Sequence, residues 1–372
     1  MFSVVCDKDY LRGISRVKKF AAAILAVLII LAALSGILSG CQKEKEAKPL
    51  RANADGVFKI LHMSDFHEYL AMEGKTAITV KPMKTLTPKL IEYLDLVTEQ
   101  EKPDFVVLGG DNIFCNSGFA EVVYNTSIRT YKKIAEYFEN KKIYWTFVFG
   151  NHDAESGRRK SRIISAVEPY RYFIGGKESG ESFDALTIKK KADVFADGKK
   201  LAKKYSIDHR FANYFIKVYD ASGDNVVYNI ATLDTGSFYS APPASVHYKR
   251  LLAEQFSWLN AELEKNAAPF CIFLHIAYFS DVTEALDDAA LARLDGIFAG
   301  HWHGNFNYLY SDPDKDILFL KAITGCAQGG GYRGETGERF ARAISIDTVS
   351  GAVNSYCLDE NAEIISYTAY VF

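Results

Sequence analysis

The sequence predicts an α/β fold in which two packed β-sheets are flanked by helices. Two patterns carry this expectation. From residue 56 the first part of the chain alternates strand-like apolar runs with stretches of helical spacing, which implies parallel strands joined by crossover helices. Later segments run strand after strand, and a second sheet accommodates them.

Phe58 to Met63 is the first apolar run. Met83 to Val97 follows with apolar residues at helical spacing, then Phe105 to Leu108 leads into Asp111. A helix-like stretch from Ala120 to Phe138 and the run Ile143 to Phe149 complete this half. Between Asp153 and Phe211, residues 155–210 read as an insertion or cap. Its lysines, Lys189-Lys190-Lys191, Lys199-Lys200 and Lys203-Lys204, fit a solvated helical insertion better than a surface that attracts an anionic substrate. Tyr214 to Tyr219 and Val226 to Leu233 read as strands, and His247 opens a helix carrying Gln255 and Trp258. Phe270 to Leu274, Ile297 to Ala299, Ile317 to Ile323, Ala341 to Ile346 and Ala352 to Cys357 are further strands. With no internal repeat, residues 56–372 read as one domain.

Five polar motifs stand where these strands run out: Asp65-Phe66-His67, Gly110-Asp111-Asn112, Gly150-Asn151-His152-Asp153, His275 and Gly300-His301-Trp302-His303. Open α/β sheets gather ligands in the crevice beyond the carboxyl ends of their strands. Carboxylate, imidazole and amide groups suit divalent zinc, iron or manganese. Residues two apart on an extended strand face the same way, so Asp65 can share a cleft with His67, and His301 with His303. Two cations so held can clamp a phosphoryl group and lower the pKa of a shared water for in-line attack.

These motifs, all five in order over residues 56–372, resemble those of the calcineurin-like metallophosphoesterases, which include the purple acid phosphatases. Within that family the chain looks most like the Dcr2-type phosphatase branch. The resemblance implies a four-layer α/β/β/α sandwich of two mixed sheets with a dimetal site at the carboxyl ends of the strands. It further implies that Asp65, His67 and His303 bind one metal ion and Asn151, His275 and His301 the other, with Asp111 bridging both. His152 would face the substrate phosphate, stabilise its charge and protonate the leaving oxygen, with Asp153 as a partner behind it. The implied reaction is hydrolysis of a phosphate ester by a hydroxide that bridges the two ions. A phosphomonoesterase is the first expectation; the alternatives are a phosphodiesterase or nucleotide pyrophosphatase, and a noncatalytic lipoprotein that binds metal or a phosphorylated ligand.

The sequence departs from the purple enzymes in having Phe114 where they carry a tyrosine ligand, and His67 where they carry a small residue. A colourless site follows, with iron, manganese, zinc and magnesium all open as divalent or trivalent ions. No Asp-Arg-Gly follows Asp111, unlike the Ser/Thr protein phosphatases. Arg158 and Arg159, shortly after His152, are candidate phosphate contacts. Tyr332 and Arg333, in the glycine-rich loop Gly325 to Gly337, are candidates for the leaving group. That loop has no Lys-Ser or Lys-Thr ending and so is not a P-loop.

Lys18 and Lys19 precede an apolar run from Phe20 to Leu34 that continues to Leu38-Ser39-Gly40-Cys41. This is the pattern of a secretory signal over residues 1–40, and its ending resembles a bacterial lipobox with Cys41 as the acylated residue. An uncleaved membrane anchor is the alternative. Either tethers the protein outside the cytoplasm, with residues 41–55 as a polar tether. Removing residues 1–40 takes away five basic and two acidic side chains and moves the formal charge from −2 to −5. That acidity argues against nucleic acid as a bulk ligand. Cys271 and Cys357 read as buried hydrophobes. Cys115 and Cys326 border site loops without a pairing that sequence can fix. His62, His209 and His247 read as non-ligands.

Overall fold

The computed structural model describes residues 49–68, 72–73, 81–82, 84–114, 125–153, 160–176, 183–191, 194–196, 199–201, 207–236, 238–241, 245–276, 279–301, 306–312, 317–323 and 340–371. The principal strands are β1 (Leu50–Arg51), β2 (Val57–Met63), β3 (Phe105–Leu108), β4 (Tyr144–Phe147), β5 (Phe183–Lys191), β6 (Ile207–Tyr219) and β7 (Val226–Leu233). They continue as β8 (Phe270–Leu274), β9 (Leu294–Ala299), β10 (Phe306–Asp312), β11 (Ile317–Ile323), β12 (Ala341–Asp347), β13 (Ala352–Leu358) and β14 (Ile364–Val371). Among the described residues the helices are α1 (Pro88–Glu101), α2 (Thr126–Lys141), α3 (Lys160–Val167), α4 (Ala253–Lys265), α5 (Phe279–Ala285) and α6 (Asp288–Leu291).

Two mixed sheets organise these elements. The first has the order β14-β13-β12-β2-β3-β4, with β2, β3 and β4 parallel and the other neighbours antiparallel. In the second, β1-β6-β7-β8-β9-β11-β10, the strands β7, β8, β9 and β11 are parallel, and β5 also pairs with β6. Register aligns the carboxyl ends: Met63, Leu108 and Phe147 lie side by side in one sheet, and Leu233, Leu274 and Ala299 in the other.

Alternation along each strand produces the layering. On β8, Cys271 and Phe273 join the large core that includes the first sheet, whereas Phe270, Ile272 and Leu274 join a second core with Leu259 and Leu263 of α4 and Val282 of α5. The first sheet is covered by α1 and α2, whose Leu90, Leu94, Val97, Ile134 and Phe138 enter the large core. Phe138 stacks on Trp145 of β4 at 5.3 Å between ring centroids. Burying aromatic rings of this size removes roughly 150–250 Å² each from water, so this cluster anchors α2 to the sheet. Helices, sheet, sheet, helices is the predicted four-layer sandwich.

Local chemistry shifts some boundaries. The first helix starts at Pro88 because proline suits the first turn, where no intrahelical N–H is needed. The expected polar tether ends sooner than residue 55, since Leu50 and Ala52 are buried and β1 pairs in parallel with Val218 and Tyr219. Lys189, Lys190 and Lys191 are in strand β5, paired antiparallel with Ile207–His209 of β6, where a helix was expected; the open edge of a long strand outweighs lysine's helical preference. His247 likewise belongs to a short strand, Ser245–Tyr248, and the helix opens at Ala253 with Gln255 folded back onto the Leu252 N–H. Cys271 and Cys357 are buried on β8 and β13, as expected. Cys115 and Cys326 lie outside the described residues.

Candidate metal centre

After β2 and β3 the chain keeps pairing without remaining a regular strand. Asp65 N–H donates to Gly110 O at 2.8 Å, His67 N–H to Asp111 O at 2.9 Å and Glu68 N–H to Asn112 O at 3.1 Å. Asp65, His67, Asp111 and His301 all adopt left-handed backbone, with φ of 57°, 45°, 48° and 71°. Such conformations cost on the order of 1–3 kcal/mol each and persist where the surroundings enforce them. Asp65 and His67 therefore meet through this turned backbone; extended-strand alternation is not what aims them together.

The ligand atoms converge on Asp111. His275 Nε2 is 3.1 Å from Asp111 Oδ2, His152 Nε2 is 3.9 Å away and His67 Nε2 is 4.0 Å away. His67 Nε2 also lies 3.9 Å from Asp65 Oδ1. Two compact donor groups result, His67-Asp111-His152 and Asp111-His275-His301, and Asp111 is common to both. Burial would raise the Asp111 pKa, but the imidazoles of His275, His152 and His67 outweigh it and hold the carboxyl below its ordinary range. His275 shows the reverse balance: burial opposes its charge, yet Asp111 beside it lifts its pKa to about 9.

Several contacts orient these donors. His275 Nδ1 lies 2.9 Å from Gly109 O, which directs Nε2 at Asp111. Ser64 Oγ donates to Asp65 Oδ2 at 2.6 Å, and His301 N–H donates to the same carboxylate at 3.1 Å, so Asp65 joins the two sheets. Asp111 Oδ1 accepts the His152 N–H at 2.7 Å. Asp153 was expected behind the His152 ring; its oxygens instead accept the N–H groups of Gly150 at 2.6 Å and Ile113 at 3.0 Å, which pins one site loop to another. Burial and the nearby Asp111 charge push its pKa up to about 6. Phe114 packs edge-on against His152 and His67 at 4.9 and 5.9 Å, and Tyr248 against His301 at 4.4 Å.

The residues fit a pair of cations. Among the described residues Asn151 Oδ1 is buried with no hydrogen-bond partner, as an amide oxygen reserved for a ligand would be. Carboxylate, imidazole and amide donors around one shared carboxylate match the coordination chemistry of such ions. His303, Arg158, Arg159, Tyr332 and Arg333 lie outside the described residues. His62 packs edge-on against Phe273 and Phe298 of the facing sheet, and burial takes its pKa down to about 3, as a neutral core histidine requires.

Similarity to known proteins agrees with this geometry. A family model described as calcineurin-like phosphoesterase matches residues 58–305, two thirds of the chain. The chain belongs to the calcineurin-like phosphoesterase family. It is a metal-dependent hydrolase of phosphate esters. This phosphoesterase is 26% identical over 355 residues to "Probable inactive purple acid phosphatase 29" of Arabidopsis thaliana, covering 84% of this chain and 82% of that one. A local stretch of 132 residues is 29% identical to "Phosphatase DCR2" of Saccharomyces cerevisiae, covering 34% of this chain and 22% of that protein. Among solved structures, a dimetal phosphatase from Danio rerio shares the fold with a TM-score of 0.51 at 12% identity, covering 85% of this chain and 99% of the other.

Sequence reasoning missed three buried groups that hold the phosphoesterase site. Glu68 accepts the Thr87 N–H at 3.1 Å and the Thr87 hydroxyl at 2.9 Å, tying the residue after His67 to the start of α1. Lys160 and Asp234 form a buried ion pair. Glu68 directly follows His67, so its position next to a motif was a usable signal. Asp234 ends a strand as the recognised ligands do, but nothing in sequence paired it with Lys160.

Proposed function

We propose that this phosphoesterase is a phosphomonoesterase working outside the cytoplasm, with Asp111 shared between two cations and His152 protonating the leaving oxygen. The observation that carries the reading is the pair of donor groups with Asp111 in common. Two bound cations would supply the clamp on the phosphoryl group and the acidified water that phosphate-ester hydrolysis needs. Asp65, His67 and His303 would hold one of them; Asn151, His275 and His301 would hold the other. No covalent protein nucleophile is needed.

His152 suits the role of acid because its side chain is 28% exposed while those of His67 and Asp111 beside it are 3% and 2% exposed. Its backbone is fixed by Asp111, so its ring stands at the open side of the cluster. Asp153 acts through the backbone of Gly150 as a positioning residue. Arg158, Arg159, Tyr332 and Arg333 are proposed substrate contacts, and their chemistry suits an anionic ester. Tethering through lipidated Cys41 is part of the proposal; the wild-type chain should incorporate labelled fatty acid and Cys41→Ser should not, and a wild-type chain that takes up no label would favour the uncleaved anchor.

A noncatalytic phospho-ligand-binding role is the second reading, favoured by the word "inactive" in the plant relative's name. That word concerns the plant protein, and His152 with its buried donors supports turnover here. The test is metal analysis of the chain from Gln42 onward, coupled to hydrolysis of matched aryl phosphate mono- and diesters. Two ions per chain with faster monoester turnover is expected. Faster diester cleavage would reassign the subclass, and full occupancy without turnover would support the binding role.

A further inference from the structure

A buried polar cluster at the end of β7 does no chemistry in the proposed reaction. Lys160 Nζ lies 2.7 Å from both carboxylate oxygens of Asp234, with Lys160 at 6% exposure and Asp234 at 0%. Asp234 also accepts the Phe211 N–H at 2.9 Å and the Gly236 N–H at 2.8 Å. Around it, Arg210 Nη1 donates to Asp234 O at 2.8 Å, and Gln255 Nε2 donates to Asn213 Oδ1 at 2.7 Å and to Asp234 O at 3.0 Å. Burying a lysine and an aspartate costs several kcal/mol per ion and often contributes less stability than an apolar pair of the same size. Stability alone therefore gives little reason for the pair.

Its connections give a better one. Lys160 opens α3, the first element after the Asn151-His152 loop, and its ammonium stands 4.9 Å over the Phe149 ring, two residues before Asn151. On the other side, Thr235 Oγ1 accepts the N–H of Ile276, the residue after His275, at 3.3 Å. One buried hub thus touches the flanks of two loops that carry donors for the same cation.

We infer that the Lys160–Asp234 pair is a positioning device that sets the spacing between the Asn151 and His275 loops and so the affinity of the second cation site. This rests on the dimetal reading above. An apolar pair could fill the volume, but it would not tie the elements at a set separation, whereas the Asp234 carboxylate holds the Lys160 ammonium and the Phe211 and Gly236 N–H groups at once through charge-assisted hydrogen bonds. The contacts of this hub run to the Asn151 and His275 flanks, so the second site is the one expected to weaken.

The experiment is manganese titration of the metal-stripped full chain, followed by bound-metal analysis and electron paramagnetic resonance, for wild type, Lys160→Met and the double variant Lys160→Met with Asp234→Asn. The double variant removes both charges together and leaves no lone buried ion, so it is the form expected to fold. Wild type should bind two ions; if it does not, the dimetal reading itself fails and the variants are not needed to show it. In the variants one ion should bind as in wild type and the other about 10–100-fold more weakly, the usual cost of disturbing a group that orients a ligand. Turnover should recover at saturating manganese. Two ions bound with wild-type affinities would overturn the inference. So would loss of both ions in step with thermal stability, because the pair would then be merely structural.

Discussion

His275 Nε2 stands 3.1 Å from Asp111 Oδ2, and the Nδ1 of the same ring is fixed 2.9 Å from the Gly109 carbonyl. The imidazole stands just after β8 of one sheet and the carboxylate in the loop after β3 of the other. Their contact brings two parallel-strand edges together over one small volume. Because Asp111 also accepts the His152 N–H and faces His67, a single carboxylate holds the centre of the site.

Asp111→Ala should therefore abolish both cation sites together, whereas Asn151→Ala should remove only one. Metal analysis after dialysis checks this, with fewer than one ion per chain expected for the first variant and close to one for the second. A first variant that retained two ions would deny Asp111 its shared position.

His152→Ala separates catalysis from metal binding. If His152 protonates the leaving oxygen, metal content should stay at the wild-type level while turnover falls ~10²–10⁴-fold. The deficit should be larger for alkyl phosphates than for nitrophenyl phosphate, whose leaving group needs little protonation. Because His152 Nε2 shares a donor group with His67 and Asp111, loss of metal in this variant would instead make it a ligand.

Much of this centre is legible in sequence because each strand end carries its own chemistry: an apolar run, then a carboxylate or imidazole. Fold class is legible for the same reason, since the alternation of runs specifies which strands are parallel. Lys189–Lys191 misled because a charge run has no intrinsic period, and only pairing with β6 makes it a strand. The left-handed backbone at Asp65 and His67 was hidden because neither residue type demands it; hydrogen bonds to the neighbouring loop impose it. Lys160 and Asp234 are 74 residues apart, and a pairing at that separation leaves no local mark.

Asp295 on β9 offers a pH-dependent stability test away from the donors. Burial raises its carboxyl pKa from 3.8 to about 6, with a hydrogen bond from Tyr228 acting against the shift. Between these values the folded chain keeps a proton that the unfolded chain has released, so stability falls as pH rises through the window. The full cost, of order 3 kcal/mol at most, is present above about pH 6. Asp295→Asn keeps the oxygen acceptor and removes the charge. It should raise stability above neutral pH and flatten the slope between about pH 4 and 6 in urea melts. A variant with the wild-type slope would show that Asp295 titrates normally.

Gly110→Ala tests how tightly the strand ends are packed. Gly110 has a φ of +94°, and a Cβ there would lie 2.6 Å from His275 Nδ1 and 2.8 Å from the backbone nitrogen of Gly150. The left-handed backbone alone costs an alanine roughly 1–2 kcal/mol. The added carbon also meets backbone on one side and a donor ring on the other, so it cannot be absorbed by a flexible side chain. His275 and Gly150 must move apart, and His275 and Asn151 supply the same proposed cation. Gly110→Ala should lower the melting temperature by several degrees and weaken one ion more than the other, although a single methyl is all that is added. Two ions bound at wild-type strength in this variant would mean that the strand ends are less closely packed than these distances require.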